Sequence, residues 1–226
     1  MYVLGIDTAT SRGSTALARP GEVLALEGLD EGGWHARDLL ARIDSMLTGA
    51  GVRPDRLSGV AVTVGPGSFT GVRIGMATAK GLAYSLNVAL AGLSTLETLA
   101  RAVPVDGDAP PRLCAAIAAG RGEVYAALFR FEGGEPIREG SERSLRPAAL
   151  APELPQGTLV AGSGAAVVVL AAGEMGRVLG EVVAPAQLAG TVALWGCGTI
   201  RPGDSYRPGS LRPSYVRPSD AERAPR

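Results

Sequence analysis

VAVTVGPGSFTGVRIGMATAK, residues 60–80, passes from a β-branched apolar run through a Gly/Pro loop into a helical pattern. Val60 to Val64 reads as a buried strand, because a short β-branched run bounded by Gly and Pro is a strand signal. Pro66 sets one φ, while Gly65, Gly67 and Gly71 permit positive φ or close backbone approach. A helix is expected from about Thr70, whose hydroxyl can accept a first-turn N–H as a cap. Such a strand–loop–helix unit suits an anion, since a helix N-terminus carries partial positive charge. It equally suits a tight turn with no ligand. The Walker spacing is missing. A nucleophile elbow needs glycines two residues either side of Ser68, where Pro66 and Thr70 stand instead.

Within the helix, Gly71, Gly75 and Ala79 recur at i, i+4, i+8 and share one face. A face so small admits a close neighbour, either another element of this chain or a partner helix. The helix is too polar to span a membrane.

Working outward, 226 residues allow one large domain or two small ones with ample core. The formal net charge is zero, so no global field recruits nucleic acid or membrane. Gly and Pro make up about a fifth of the chain, which implies many turns alongside long apolar runs. Tyr2–Ile6 is too short for a signal peptide and lacks a basic flank, and no apolar run reaches transmembrane length. Cys114 and Cys197 are far apart in apolar surroundings and read as two buried thiols of a cytosolic protein.

Tyr2–Ile6, Ser14–Ala18 and Glu22–Glu27 read as three strands of an antiparallel meander, with Pro20-Gly21 as a turn. A helix is expected over Ala36–Leu47, striped by Leu39, Leu40, Ile43, Met46 and Leu47 and ended by Gly49 and Gly51. After the Val60–Leu86 unit come a short strand, Val88–Leu90, and a helix to Ala102 with Ser94 and Glu97 as a capping box. PVDGDAPP, residues 104–111, reads as a linker. Beyond it, strands are expected at Leu113–Ile117, Glu123–Phe131, about Pro136–Arg138 and Thr158–Ala161. Gly133-Gly134 forms a hairpin and Gly162–Gly164 a turn. Helices are expected at Ala165–Ala172 and Ala186–Trp195. The tail from Arg201 carries six arginines against three acids; it reads as a basic arm for RNA phosphates or as an extended segment packed by Tyr215 and Val216. The order βββ-α-β-α-β-α is that of ribonuclease-H-like and actin-like ATPase lobes, an α/β class with mixed sheets, and fold alone gives no function.

Asp7 ends the first strand beside Thr8, Thr10 and Ser11. An acid with hydroxyls there invites phosphate or Mg²⁺-bound water, or caps its own turn. A full Mg²⁺ site draws on one or two carboxylates plus phosphate and water. The corresponding turn of the second half, Ile117-Ala118-Ala119-Gly120, has no acid before Glu123. His35, the only histidine, has no nucleophile or acid at a readable spacing and reads as a helix-entry residue. Zinc wants about three protein ligands and finds no such set. Lys80 is the only lysine, inside the central helix, and reads as a salt-bridge residue or a partner contact.

IDTAT at Ile6–Thr10, the His35-led helix, GPGSFTGVRIG at Gly65–Gly75, KGLA at Lys80–Ala83 and GLSTLETLA at Gly92–Ala100 are similar to the TsaB (YeaZ) family. RGEVY at Arg121–Tyr125 and PSYVRPSDAE at Pro213–Glu222 fit the same family. The resemblance covers about the first 130 residues and the tail. It implies two actin-like (ASKHA, ribonuclease-H-like) lobes, the second reduced. It further implies a cytoplasmic bacterial protein needed to make N6-threonylcarbamoyladenosine at position 37 of tRNAs reading codons that begin with A. The family resembles a non-catalytic scaffold that binds the catalytic paralogue TsaD and the ATPase TsaE, with ATP and metal used by those partners, no cofactor of its own and any tRNA contact indirect or weak. A homodimer through the same helical face is also implied. Ala118 departs from the family, which usually has Asp there.

The expected partner interface is therefore Thr70, Gly71, Val72, Arg73, Gly75, Met76, Ala79 and Lys80; Asp7, Thr8 and Ser11 form a vestigial nucleotide site; catalytic and metal-binding residues are expected to be absent. The expected division is a first lobe over 1–103, a linker over 104–111, a reduced second lobe over 112–200 and a tail over 201–226. Two other functions compete: an actin-like ATPase or small-molecule kinase using Asp7, and a metalloprotease, which the lack of histidine ligands opposes.

Overall fold

The computed structural model describes residues 1–28, 36–104, 112–201, 203–207, 209 and 211–216. His35, most of the expected linker and the last ten residues lie outside them. The chain divides into two units, Met1–Thr98 with Ala186–Pro213, and Leu99–Pro185 with Ser214–Arg226.

The first unit is built on a five-stranded sheet. Strands β1 (Tyr2–Asp7), β2 (Ser14–Arg19) and β3 (Glu22–Gly28) form the expected meander, while β4 (Leu57–Thr63) and β5 (Ala89–Leu93) run parallel to β1, in the order β3-β2-β1-β4-β5. Alternation assigns the two faces. Leu4, Ile6, Leu17, Val60 and Val62 meet helices α1 (Ala36–Gly49) and α2 (Phe69–Leu86) through Leu39, Ile43, Met46, Val72 and Met76. Val3, Ala16, Ala18 and Ala61 face Ala189, Val192, Ala193 and Ile200 on the other side. Helix α3 (Thr95–Ala102) follows β5, and the Ser94 half of the expected capping box is present, its Oγ accepting from the N–H groups of Leu96 (3.2 Å) and Glu97 (3.4 Å).

The second unit repeats the plan with fewer helices. Strands β6 (Leu113–Gly120), β7 (Glu123–Glu132) and β8 (Glu135–Leu145) form an antiparallel meander, and β9 (Leu159–Ala161) and β10 (Gly180–Val182) extend it in parallel, in the order β10-β9-β6-β7-β8. Gly133 and Gly134 both hold positive φ (+58° and +82°), as a two-residue hairpin turn requires. The short helix α4 (Pro147–Leu150) and helix α5 (Ala165–Glu174) cover one face through Leu150, Val168 and Ala172 against Ala116, Val124 and Val160. Strand β8 is far longer than the three residues expected, because its Glu/Arg alternation hides a paired edge strand. Strand β10 has no sequence signal beyond three residues.

Helix α6 (Ala189–Thr199) corrects the expected lobe boundary at residue 200. It packs on the first sheet, where a Cβ on Gly5 would lie 2.3 Å from the Ala189 carbonyl and one on Gly196 would lie 2.7 Å from the Ala61 Cβ. Small residues on both sides let this helix lie almost on the strand backbones. Its return over nearly 190 residues leaves no local trace.

Candidate functional site

Asp7 sits at the end of β1, fully buried. Its Oδ1 accepts from the Ala9 N–H (3.0 Å) and the Thr63 hydroxyl (2.7 Å), and its Oδ2 accepts from the Thr10 hydroxyl (2.6 Å). Burial pushes the carboxyl above its ordinary 3.8, and the hydrogen bonds from Thr10, Thr63 and Ala9 oppose that rise. Both oxygens are engaged by the chain's own donors, so Asp7 caps its turn and ties it to β4. The sequence did not single out Thr63 as its partner. The available signal was a lone hydroxyl closing an apolar strand, and the register Ile6↔Val62 brings it beside Asp7.

The other two residues of the expected nucleotide site do not join it. Thr8 is buried and its Oγ1 donates to the Gly71 carbonyl (2.7 Å), while Ser11 lies exposed on the turn. Thr8 thus pins α2 to the β1–β2 turn.

The Gly65–Ser68 loop is folded onto that same turn. The Ser68 N–H donates to the Ala9 carbonyl (2.8 Å), and a Cβ on Gly67 would lie 2.2 Å from that oxygen. Ser68, not Thr70, caps α2: its Oγ accepts from the Gly71 N–H (3.2 Å), because the helix begins one residue earlier than expected, at Phe69. Two N–H groups that would cradle an anion are therefore engaged internally, which favours the tight turn over the anion nest.

The small-residue stripe faces inward. A Cβ on Gly71 would sit 1.9 Å from the Thr8 carbonyl oxygen, and one on Gly75 would sit 2.1 Å from Thr8 Oγ1; Ala79 is fully buried. Val72 and Met76 are also buried, in the core under the helix. This corrects the expected interface: Gly71, Val72, Gly75, Met76 and Ala79 belong to the interior, and their neighbour is the β1–β2 turn or the sheet. Thr70 and Arg73 stand outside, with Lys80 half-buried. The outer face of α2 is Phe69, Thr70, Arg73, Ala77, Gly81 and Tyr84, recurring at the three- and four-residue steps of one helical stripe. At one end the Arg73 guanidinium lies 3.7 Å over the Phe69 ring. At the other, the Tyr84 ring meets Tyr206 edge-on with centroids 5.9 Å apart. Sequence reasoning missed Phe69, Ala77, Gly81 and Tyr84, because a stripe of small residues drew the eye to the opposite face.

In the second unit, Ala118, which stands where the family resemblance expects an acid, is exposed, and its backbone is tied to the Gly162–Gly164 turn. The Ala118 N–H donates to Ser163 Oγ (3.1 Å), and the Gly164 N–H donates to the Ala116 carbonyl (3.0 Å). Gly162 holds a φ of +106° and would place a Cβ 2.4 Å from that carbonyl oxygen. Among the described residues, no group of three or more His, Cys, Asp or Glu is placed to hold a metal ion. None of the described helices is long and apolar enough to cross a membrane.

The sequence pattern of the family described as "TsaD: tRNA N6-adenosine threonylcarbamoyltransferase" matches residues 33–175. The chain is 40% identical over 148 residues to the tRNA threonylcarbamoyladenosine biosynthesis protein TsaB of Escherichia coli (strain K12), covering 65% of this chain and 63% of that one. It is 36% identical over 137 residues to the TsaB of Bacillus subtilis (strain 168), covering 59% and 57%. The matches thus span about six tenths of the length of these curated relatives. A solved Pseudomonas aeruginosa protein, described as having similarity to peptidase YEAZ, superposes with a TM-score of 0.78 at 29% identity over 96% of this chain and 99% of that one. A ROK hexokinase from Thermus thermophilus shares the actin-like fold, with a TM-score of 0.50 at 13% identity over 86% and 97%.

Proposed function

The chain matches the tRNA N6-adenosine threonylcarbamoyltransferase (TsaD) family pattern over most of its length and belongs to the TsaB (YeaZ) family, and from that premise we propose that it is a non-catalytic scaffold subunit. It serves the complex that transfers threonylcarbamoyl to N6 of adenosine 37 in tRNAs reading codons that begin with A. TsaD performs the transfer and TsaE hydrolyses ATP, so ATP and metal act in the partners, and tRNA contact by this chain is indirect or weak. Its place of work is the cytoplasm, where tRNA is modified.

The observation that carries the non-catalytic reading is Asp7. A carboxylate that holds phosphate-bound Mg²⁺ needs an oxygen facing the ligand. Both oxygens of Asp7 instead close the chain's own turn. The alternative, an actin-like ATPase or small-molecule kinase, needs those oxygens released. Magnesium-ATP turnover by the purified protein, lost in Asp7→Ala, would support that alternative.

Docking to TsaD uses the outer face of α2, with Thr70, Arg73 and Lys80 retained from the expected interface and Phe69, Ala77, Gly81 and Tyr84 added. The match to the TsaD pattern spans residues 33–175 and so includes α1 and α2. The partner therefore carries counterparts of these helices, and a two-fold-like pairing brings like face to like face. A homodimer through the same face competes with it. A specific interface buries ~1,200–2,000 Å² in total, so neighbouring elements contribute besides α2.

Reconstitution tests the function. This protein is mixed with its host's TsaD, TsaE, ATP, threonylcarbamoyl-adenylate-forming components and a tRNA bearing adenosine 37. Modified adenosine should depend on this chain and be absent with this chain alone; full product without it refutes the proposal. Arg73→Glu should weaken TsaD binding at least tenfold by calorimetry while leaving the melting temperature nearly unchanged.

A further inference from the structure

After α6 the chain turns at Arg201–Asp204, where Asp204 Oδ2 accepts from the Arg201 N–H (2.9 Å) and the Asp204 N–H donates to the Arg201 carbonyl (3.1 Å). Ile200 packs in the cluster on the α6 face of the first sheet, whereas Tyr206 and Leu211 pack on the cluster of the α2 face. The chain therefore changes faces between these points, past the edge strand β5. Leu211 is pinned in a notch on β5 that exists because residue 92 is glycine. A Cβ there would lie 2.3 Å from Leu211 Cδ1 and 2.5 Å from Val64 Cγ1. Tyr206, five residues earlier, meets Tyr84 edge-on at 5.9 Å. Tyr84 remains 72% exposed, so the contact leaves most of its ring facing outward. The expected anchors of the tail were Tyr215 and Val216; the anchors on this unit are Tyr206 and Leu211, and Tyr215 stands about half exposed.

We propose that Tyr206 completes the TsaD-docking face as an interface residue, with Leu211 the pin that holds it beside Tyr84. This rests on the docking role of the α2 outer face given above. The stripe from Phe69 to Tyr84 is about 22 Å long at 1.5 Å per residue. It carries an aromatic–guanidinium post at one end, a paired-tyrosine post at the other, and Ala77 and Gly81 between them, with the half-buried Lys80 at their flank. A Cβ on Gly81 would meet nothing within 4 Å, so the middle is open. A helix of the paralogous subunit fits across that saddle with its flanks against the posts. Aromatic side chains supply large contact area at small entropic loss, which is why tyrosine is enriched among residues that dominate binding. Tyr206 has a counterpart neither in the helix nor in the local pattern; the fold recruits it from 122 positions beyond Tyr84 in the chain.

The test is calorimetric titration of full-length variants with TsaD, alongside thermal melts. Tyr206→Ala should weaken binding at least tenfold and Tyr206→Phe should retain it, since the ring rather than the hydroxyl makes the contact. Leu211→Ala, with Tyr206 intact, should also weaken binding, through a freed Tyr206. Arg73→Glu separates the two claims. If Arg73→Glu weakens binding and Tyr206→Ala does not, the clasp is refuted and the α2 face stands. If neither weakens it, the docking reading itself fails. Tighter binding by Tyr206→Ala would make the segment a competitor of TsaD and overturn the proposal in the opposite sense. A loss of affinity that tracks a lowered melting temperature in Tyr206→Ala but is absent in Leu211→Ala would leave Tyr206 with a packing role only.

Discussion

Gly75→Ala is a substitution on which the inward packing of α2 makes a sharp demand. The new Cβ would lie 2.1 Å from Thr8 Oγ1, with Thr8 Cβ at 3.4 Å and Cγ2 at 3.6 Å. Thr8 is β-branched, so rotation about χ1 either swings the methyl into the same place or leaves that place empty at the loss of the hydrogen bond to the Gly71 carbonyl. Overpacking costs ~1–3 kcal/mol, and a buried hydroxyl left without a partner costs a similar ~1–3 kcal/mol. Alanine in a helix returns about 1 kcal/mol relative to glycine. The net expectation is a loss of roughly 2 kcal/mol. In a Thr8→Ala background the offending oxygen is gone, and Thr8 Cβ remains at ordinary contact distance. There Gly75→Ala should gain about 1 kcal/mol, which makes the interaction energy roughly 3 kcal/mol, the top of the usual range for touching residues. Urea unfolding of the four proteins, followed by far-ultraviolet circular dichroism, measures the cycle. The single variant should melt roughly 4–8 °C lower, at ~2–4 °C per kcal/mol for a chain of this size. Additivity within ~0.5 kcal/mol would refute the packing argument. The double variant should bind TsaD as the wild type does, because residue 75 lies under the helix and not on it.

Gly71→Ala should be worse than Gly75→Ala and should not be rescued by Thr8→Ala, since its Cβ meets the Thr8 backbone oxygen at 1.9 Å; a loss above about 3 kcal/mol in the same assay is expected. Asp7 has a folded pKa raised above 3.8 by burial. Its folded form therefore takes up a proton before the unfolded form does, and stability relative to Asp7→Asn should rise as pH falls from the raised value to 3.8, then stay level. Parallel pH series of urea midpoints for the two proteins check this, and a difference that is flat from pH 8 to pH 3 would count against it. The Cys114 thiol is fully buried and pushed up to about 12 by desolvation, so iodoacetamide at pH 8 should leave it unmodified until denaturant unfolds the chain. Labelling of Cys114 at native stability, read by peptide mass, would contradict that burial.

The amino-acid sequence by itself determined the local order. The short apolar runs and the Pro20-Gly21 turn in the first 28 residues, the β-branched run before Gly65 and the stripe of Leu39, Ile43, Met46 and Leu47 place strands and helices within a few residues, although Leu40, expected on that stripe, is exposed. The strings around Gly65–Gly75 and Gly92–Ala100 place the family. These signals repeat every two or 3.6 residues and need only neighbours in the chain to be read. Spacing also shows that Gly71, Gly75 and Ala79 share a face, but it carries no information about what comes against that face. Only the tertiary structure put Thr8 there, and so left Phe69, Thr70, Arg73, Ala77, Gly81 and Tyr84 as the outer face of α2. The same limit hid Thr63 beside Asp7, α6 beneath the first sheet and Tyr206 beside Tyr84, contacts that span 56, nearly 190 and 122 positions. Each is fixed by strand register or by a glycine-sized gap between distant segments, a property of the assembled backbone that no short window of sequence contains.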